Sequence, residues 1–118
     1  MRLHLRRSGH KPVALSPYLL RFWHNRLNYL LFSGRLKWVH LTHGPSPEID
    51  FPVDGCYWPD PYVPRLHIDE RCLTKGRFLN TLAHEMVHQY QHEHKLPLTH
   101  GRFFKAEAKR LAKHGLTI

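Results

Sequence analysis

Two histidines and a glutamate in the second half of the chain have the spacing of a metal site. His84, Glu85 and His88 form the pattern His-Glu-x-x-His. On a helix, the two imidazoles project from one face about one turn apart, so both can bind one tetrahedral Zn²⁺. Glu85 is rotated by about 100° from His84, which suits a base beside the reacting water better than a metal ligand. Zinc would polarise a scissile carbonyl while Glu85 takes the proton of that water and passes it to the leaving amine.

A catalytic zinc site needs three protein ligands and an open fourth position, and the spacing leaves the third ligand undecided. The candidates are His92, His94, His100 and Glu107. His94 has the spacing of the His-Glu-x-x-His-x-x-Gly-x-x-His proteases, but Gln91 stands where that motif needs a glycine. His92 is two helical turns from His84, roughly 12 Å by helical rise, which is too far for a shared ion. The other two candidates follow a loop that is broken by a proline and can bring them back to the metal.

The histidine pattern lies in a segment that is predicted to be a helix. Between Arg77 and His92, apolar residues recur with helical spacing and define one buried face, with His84 and His88 nearly opposite. These apolar residues are Leu79, Leu82, Ala83, Met86, Val87 and Tyr90. A second helical stripe, which ends at Gly115, predicts a C-terminal helix. Its apolar residues are Phe104, Ala108, Leu111 and Ala112.

The first half of the chain is predicted to hold a helix and a strand. Ser16 can accept hydrogen bonds from the free amides of a first helical turn, and Pro17 fits that turn. A helix is therefore predicted from Pro17 to Phe32, with core-facing residues at helical spacing. These residues are Leu20, Trp23, Leu27, Leu30 and Leu31. Charged residues that alternate with β-branched and aromatic ones predict a strand over residues 35–42.

The stretch after this strand is predicted to be irregular. Prolines at positions 52, 59, 61 and 64 exclude a central strand through most of it. Asp54-Gly55 is a turn signal, which favours a short hairpin followed by a loop. A further strand is predicted from Arg65 to Asp69.

Length and composition limit the class of protein. A chain of 118 residues with 42% hydrophobic and 23% charged residues is expected to form one domain with one modest core. The longest apolar run, Tyr29 to Phe32, is far shorter than the roughly 20 residues of a membrane helix. The first eleven residues lack the apolar stretch of a secretory signal, so we expect a cytoplasmic protein without a membrane partner. Cys56 and Cys72 are too few for a disulfide scaffold and are expected to be structural thiols.

In combination these motifs resemble the SprT-like metalloprotease domain, the family that includes Spartan, the protease of DNA–protein crosslinks. His-Glu-x-x-His is shared by many metalloproteases, whereas its combination with a downstream His-Gly-x-x-Phe is much more specific. The resemblance runs from about Tyr18 to the end of the sequence. It is carried by residues 25–34, Asp54 to Tyr57, Leu79 to His88, and His100 to Lys105.

The resemblance implies an α+β fold with a zincin-type core over residues 16–118, after a basic segment over residues 1–15. This core would consist of an N-terminal helix, a short and mainly antiparallel sheet, the His-Glu-x-x-His helix and a C-terminal helix. The resemblance also implies that His84, His88 and His100 bind one catalytic Zn²⁺, with Glu85 as general base. Phe103 stands where Spartan-type sequences often have an acidic residue, so no role is carried over to that position. With two cysteines there is no four-cysteine zinc ribbon, and a second zinc ion is not expected.

The net charge of +9 is the main indication of a partner. Eight lysines and arginines and no acid occur in residues 1–43, one against six acids in residues 44–70, and nine against three in residues 71–118. Two basic ends predict a surface that meets polyanions, and the simpler alternative is a solvated basic face. The candidate phosphate contacts are Arg2, Arg6, Arg7, Lys11, Arg102, Lys105, Lys109, Arg110 and Lys113. Trp23 and Trp38 could stack on unpaired bases, although their spacing is more typical of core residues.

These observations predict a monomeric zinc-dependent endopeptidase that cleaves DNA-associated or DNA-crosslinked proteins, located in the cytoplasm or on DNA. Because the sequence has no base-reading module, its binding to DNA would be non-specific and salt-sensitive. Two alternatives remain. One is a non-catalytic basic nucleic-acid-binding module with a structural zinc, and the other is a zinc hydrolase with a non-peptide substrate.

Overall fold

The computed structural model describes residues 8–46 and 53–118. Within these residues, three helices combine with one three-stranded sheet, so the predicted α+β class is confirmed. The elements in chain order are α1 (Pro17–Phe32), β1 (His40–Gly44), β2 (Gly55–Trp58), β3 (Arg65–Asp69), α2 (Lys75–Glu93) and α3 (Arg102–Ala112).

Helix α1 begins and ends where the sequence predicts. Ser16 is its N-cap, and the Ser16 hydroxyl accepts a hydrogen bond from the amide of Leu19 at 3.0 Å. The helix stops at Ser33, which has a left-handed φ of 55° and whose amide donates back to the carbonyl of Asn28. Its buried residues are Leu20, His24, Leu27, Leu31 and Phe32. His24 is the polar member of this face and was not predicted to be buried.

Strand β1 is shorter than the predicted strand over residues 35–42 and begins only at His40. The preceding backbone is hydrogen-bonded to side chains instead of a neighbouring strand. The side-chain amide of Asn28 donates to the carbonyl of Leu36 at 2.9 Å and accepts from its amide at 3.0 Å. Side chains of α2 bind both backbone groups of Lys37. These partners lie far away in the sequence, so the local β propensity of this segment could not reveal them.

The sheet has the strand order β1-β3-β2 and is mixed, where a mainly antiparallel sheet was expected. β3 is parallel to β1 and antiparallel to β2. The chain reverses direction between β1 and β2 and again between β2 and β3, which leaves β1 and β3 parallel. Gly55 begins β2 instead of forming the tip of a hairpin, and residues 47–52 of that predicted hairpin lie outside the described residues.

Helix α2 is the central element of the core. Thr74 caps it, and its apolar face packs on the sheet and on α1 with fully buried Leu79, Leu82 and Met86. Each fully buried side chain of this size contributes about 1.5–3 kcal/mol to stability. Residues 9–13 run beside its start, where the amide of Gly76 donates to the carbonyl of Gly9 at 2.8 Å. In the described part of the chain, no helix is long and apolar enough to cross a membrane.

Candidate metal centre

Helix α2 presents His84 and His88 one turn apart, with their ring centroids 5.1 Å from each other. Both side chains are half-buried. The helical periodicity predicts this arrangement, because residues four apart lie above one another on one face.

The loop after α2 brings a third histidine to this pair. The chain turns at Lys95, which has a left-handed φ of 57°, and the amide of Leu96 donates back to the carbonyl of Gln91 at 2.7 Å. His100 therefore lies over α2, with its Nε2 atom 3.0 Å from Nε2 of His88 and 3.2 Å from Nε2 of His84. The three donor nitrogens all lie within 4.8 Å of one another.

These separations fit one tetrahedral ion. Zn–N bonds of about 2.0–2.1 Å at tetrahedral angles place two ligand nitrogens roughly 3.3 Å apart. The two measured separations from His100 are 3.0 and 3.2 Å, so small ring movements suffice to seat a metal ion. Among residues 8–46 and 53–118, this is the only group of three or more potential metal ligands.

The protonation of the histidines favours metal binding. The pKa of His84 is lowered to about 4, mainly by burial and to a lesser extent by the neighbouring His88 and His100. Burial is also the main reason why the pKa of His88 is below its ordinary value. Both rings are therefore neutral near pH 7, and the neutral imidazole is the form that donates a lone pair to a metal.

Hydrogen bonds outside the group orient two of the rings. Nδ1 of His88 lies 2.8 Å from Oε1 of Gln91, and the ring of His84 donates to the backbone carbonyl of Ile118. Outer acceptors of this kind hold metal-binding histidines in position and fix their tautomers. Neither Gln91 nor Ile118 was singled out for such a role from the sequence, because their partners become neighbours only in the fold.

Phe104 closes the group from the side of α3. Its ring centroid lies 4.7 Å from that of His84, 5.2 Å from that of His88 and 4.5 Å from that of His100. In the sequence, Phe104 belongs to the apolar stripe of α3 and ends the His-Gly-x-x-Phe motif that begins at His100, but neither pattern assigned it a place over the metal ligands. Its position four residues after His100, one turn into the following helix, was the signal that it would cover the site.

Glu85 faces the strand β2 and is buried. Burial raises the pKa of its carboxyl to about 8. A Cβ atom on Gly55 would lie 3.2 Å from Cγ of Glu85, so β2 approaches this side chain closely at a glycine. A cation held by the three imidazoles would favour the carboxylate and oppose the shift that burial causes. The carboxyl is placed next to the histidines without being one of the three clustered ligands.

The other candidates for the third ligand have different partners. The ring of His94 stacks on Tyr90 at 3.9 Å, and its Nδ1 lies 3.0 Å from the carbonyl oxygen of the same residue. Nδ1 of His92 lies 2.7 Å from the hydroxyl of Tyr57. Glu107 forms an ion pair within α3. The structure thus brings none of them together with His84 and His88.

No family model, curated protein or solved structure matches the chain. The case for a function therefore rests on the geometry of the site.

A cleft of about 1490 Å³ opens beside the histidines. It is lined by residues 53–57, by the side of α2 from Gly76 to His88, and by residues at the end of α3 and at the C-terminus, and it includes His84, Glu85, His88 and His100. β2 is an edge strand, and no strand of the described ranges pairs with its outer edge.

The predicted phosphate contacts fall into three groups. Arg2, Arg6 and Arg7 lie outside the described residues. The exposed ones are Lys11, Arg102, Lys105, Lys109 and Lys113, of which the last four lie along one face of α3 at helical spacing. Arg110 instead forms an ion pair with Glu107 and donates to the carbonyl of Leu31, so it bridges α3 and α1.

The two tryptophans proposed for base stacking differ in exposure. Trp38 is 66% exposed, and the guanidinium of Arg21 lies 5.0 Å from its ring centroid. The expectation that Trp38 belongs to the core is therefore wrong. Trp23 is half-buried against the core, with Nζ of Lys75 5.3 Å from its ring centroid.

Proposed function

We propose that this chain is a zinc-dependent endopeptidase similar to the SprT-like proteases. The observation that carries the proposal is the convergence of three imidazoles and a buried carboxyl on one cleft, where His84, His88 and His100 would hold the ion. Three imidazoles are a donor set that suits zinc and leaves a fourth position open for catalysis.

Zinc would act as a Lewis acid that polarises the scissile carbonyl group of the substrate. Glu85 is the general base in this proposal, because its carboxyl lies in the cleft beside the ligands. Its oxygen accepts the proton of the attacking water and then gives it to the leaving amine. Burial alone raises the pKa of Glu85 to about 8, and the charge of a bound Zn²⁺ would lower it again and favour the carboxylate that the general base requires.

The size and border of the cleft favour a polypeptide substrate. Pockets for small molecules have volumes of roughly 300–1,000 Å³. This cleft is larger, at about 1490 Å³, and it is bordered by an edge strand. The outer backbone groups of β2, which pair with no strand of residues 8–46 and 53–118, can bind an extended peptide as an added strand, which would lay a scissile bond beside Glu85.

The proposal is tested with the pair Glu85→Gln and Glu70→Gln. Glu70 is an exposed glutamate that does not line the cleft, so its variant is a matched control. In the zinc-loaded protein, Glu85→Gln is expected to lower the rate of hydrolysis of an unfolded protein by about 10²–10⁴-fold. Zinc content, measured by elemental analysis, should stay at one ion per chain. Hydrolysis at the wild-type rate by Glu85→Gln refutes the assignment of the base.

The same assay separates the two alternatives. A non-catalytic nucleic-acid-binding zinc module would hydrolyse nothing, with or without Glu85. A zinc hydrolase with a non-peptide substrate would hydrolyse small esters or amides and leave unfolded proteins intact.

We also propose that the basic face of α3 recruits the protein to DNA. Arg102, Lys105, Lys109 and Lys113 lie along this face, and none of them is in an ion pair with a described residue. The helix directly follows His100, so DNA bound there would place an attached protein near the cleft. Phosphate contacts of this type are non-specific and weaken as salt rises.

The test compares two double variants that remove the same charge. Lys105→Gln with Lys109→Gln removes two charges from the proposed face, and Arg26→Gln with Arg35→Gln removes two exposed charges elsewhere. In anisotropy titrations with single- and double-stranded DNA, the first pair should reduce the slope of log K against log salt by about 1–2. Equal effects of the two pairs refute a defined face on α3.

A further inference from the structure

Gln91 links two of the three clustered histidines. Its side chain is 1% exposed and lies between α2 and the loop that follows it. Oε1 of Gln91 lies 2.8 Å from Nδ1 of His88, and its Nε2 donates to the carbonyl of Thr99 at 3.0 Å. Thr99 is the residue before His100. One buried amide therefore contacts the second histidine directly and the third through the backbone.

These contacts determine the tautomer of His88. The carbonyl of Thr99 can only accept a hydrogen bond, so the amide nitrogen of Gln91 must face it. The amide oxygen then faces His88 and can only accept, which requires the hydrogen of the neutral ring to be on Nδ1. The lone pair is left on Nε2, which lies 3.0 Å from Nε2 of His100. Gln91 thus selects the tautomer that can bind a metal at the centre of the group.

We propose that Gln91 is a positioning residue that sets the metal affinity of the site. It keeps Nε2 of His88 available and ties the loop of His100 to α2. In the His-Glu-x-x-His-x-x-Gly-x-x-His proteases, a glycine stands at the position of Gln91 and lets the chain turn, so that a histidine at the position of His94 can bind the metal. Here the chain turns later, and the side chain of Gln91 fastens the longer loop. The inference depends on the proposed metal site but not on peptidase activity.

Gln89 provides a matched control on the same helix. It is fully buried, its Oε1 lies 2.8 Å from Nε2 of His24, and its Nε2 donates to the carbonyl of Lys37 at 2.9 Å. This amide also joins a histidine to a loop carbonyl, but it contacts none of the clustered histidines. Replacing either glutamine removes a buried amide and its hydrogen bonds. Only Gln91 is expected to act on the metal.

The experiment compares Gln91→Leu with Gln89→Leu in the full chain. Zinc affinity is measured by competition with a chromophoric chelator, and the free energy of unfolding is measured by urea denaturation of the metal-free protein. Both variants should lose stability, whereas only Gln91→Leu should weaken zinc binding, by about 10–100-fold. The visible spectrum of the Co²⁺-loaded protein should change for Gln91→Leu alone, because His88 is no longer held in place.

Gln91→Glu keeps the proposal testable if Gln91→Leu does not fold. A carboxylate can still accept from Nδ1 of His88 but cannot donate to Thr99, so zinc binding should weaken by less than about tenfold, because only the contact to the loop of His100 is lost. A tenfold loss in Gln91→Glu, unchanged affinity in folded Gln91→Leu, or an equal loss in Gln89→Leu would each overturn the role of Gln91. If the wild-type protein binds no zinc, the metal site itself is refuted. If the wild type binds zinc and folded Gln91→Leu binds it equally well, only the role of Gln91 is refuted.

Discussion

The contact between β2 and α2 predicts that Gly55→Ala destabilises the protein and disturbs Glu85. An alanine Cβ at position 55 would lie 2.6 Å from Cγ2 of Thr81, 3.1 Å from the carbonyl oxygen of His67 and 3.2 Å from Cγ of Glu85. Carbon atoms in contact are ordinarily about 3.5–4.0 Å apart. The overlap with Thr81 is therefore close to 1 Å, and either the strand or the helix must move.

The expected loss is about 1–3 kcal/mol of unfolding free energy, which is typical of an added methyl group in a packed interface. Gly55 has no left-handed φ, so the effect is steric and does not come from backbone strain. A shift of about 1 Å at a catalytic group can lower the rate by about 100-fold. We therefore expect the rate of hydrolysis by Gly55→Ala to fall by a larger factor than the fraction of protein that is folded.

Thr81→Ser gives the means to refute this reasoning. Serine lacks the Cγ2 methyl of the closest contact but keeps the hydroxyl that lies 3.7 Å from Sγ of Cys72. In urea unfolding of the metal-free protein, the double variant should be more stable than the sum of the single effects predicts, by about 1 kcal/mol. If the changes in unfolding free energy are additive, or if Gly55→Ala is as stable as wild type, a Cβ atom at position 55 does not overlap with Thr81.

Three further predictions concern the metal ligand, the segment before β1 and the response to acid. His100→Ala should lower zinc content in elemental analysis and His94→Ala should not, because only the former removes a member of the cluster. Asn28→Ala should lower the unfolding free energy, measured by urea titration, by about 1–3 kcal/mol, because it leaves the amide and carbonyl of Leu36 without their partner. Asn25 is exposed, so Asn25→Ala should change the unfolding free energy by less than about 0.5 kcal/mol. Burial lowers the pKa of His24 below 6.5, so the unfolded state binds more protons and stability is lost as pH falls from 6.5 through the folded value. In chelator-treated protein, His24→Asn should reduce the loss of unfolding free energy as pH falls below 6.5. An unchanged pH dependence would contradict the burial of a neutral His24.

The features that the sequence predicts well are those with local causes. α1 follows from a serine cap, a proline in the first turn and a helical stripe, and its bounds agree with the prediction. α2 was predicted over residues 77–92 and runs from Lys75 to Glu93. Within it, the spacing of His84 and His88 is enough to place both rings on one face.

Features that depend on distant partners could not be predicted in this way. The segment before β1 has strand propensity, but Asn28 and side chains of α2 bind its backbone. Spacing alone left the third ligand undecided because the choice depends on how the loop folds, and only the family resemblance favoured His100. That loop is shaped by the left-handed turn at Lys95 and by the contact between Gln91 and Thr99. Neither the turn at Lys95 nor the hydrogen bond between Gln91 and Thr99 produces a periodic pattern in the sequence.

Several polar residues of α2 lie outside its apolar stripe, and they say more about function than the stripe does. Hydrophobic periodicity assigns these positions to solvent, yet Thr81, Glu85, Gln89 and Gln91 are all buried. A buried polar group destabilises the fold unless it is hydrogen-bonded, and both glutamines satisfy this condition, Gln89 with three partners and Gln91 with two. Glu85 differs, because burial alone raises the pKa of its carboxyl to about 8. The proposed role as general base accounts for a buried carboxyl beside three clustered imidazoles, and Glu85 is therefore the residue of α2 on which the proposed function most depends.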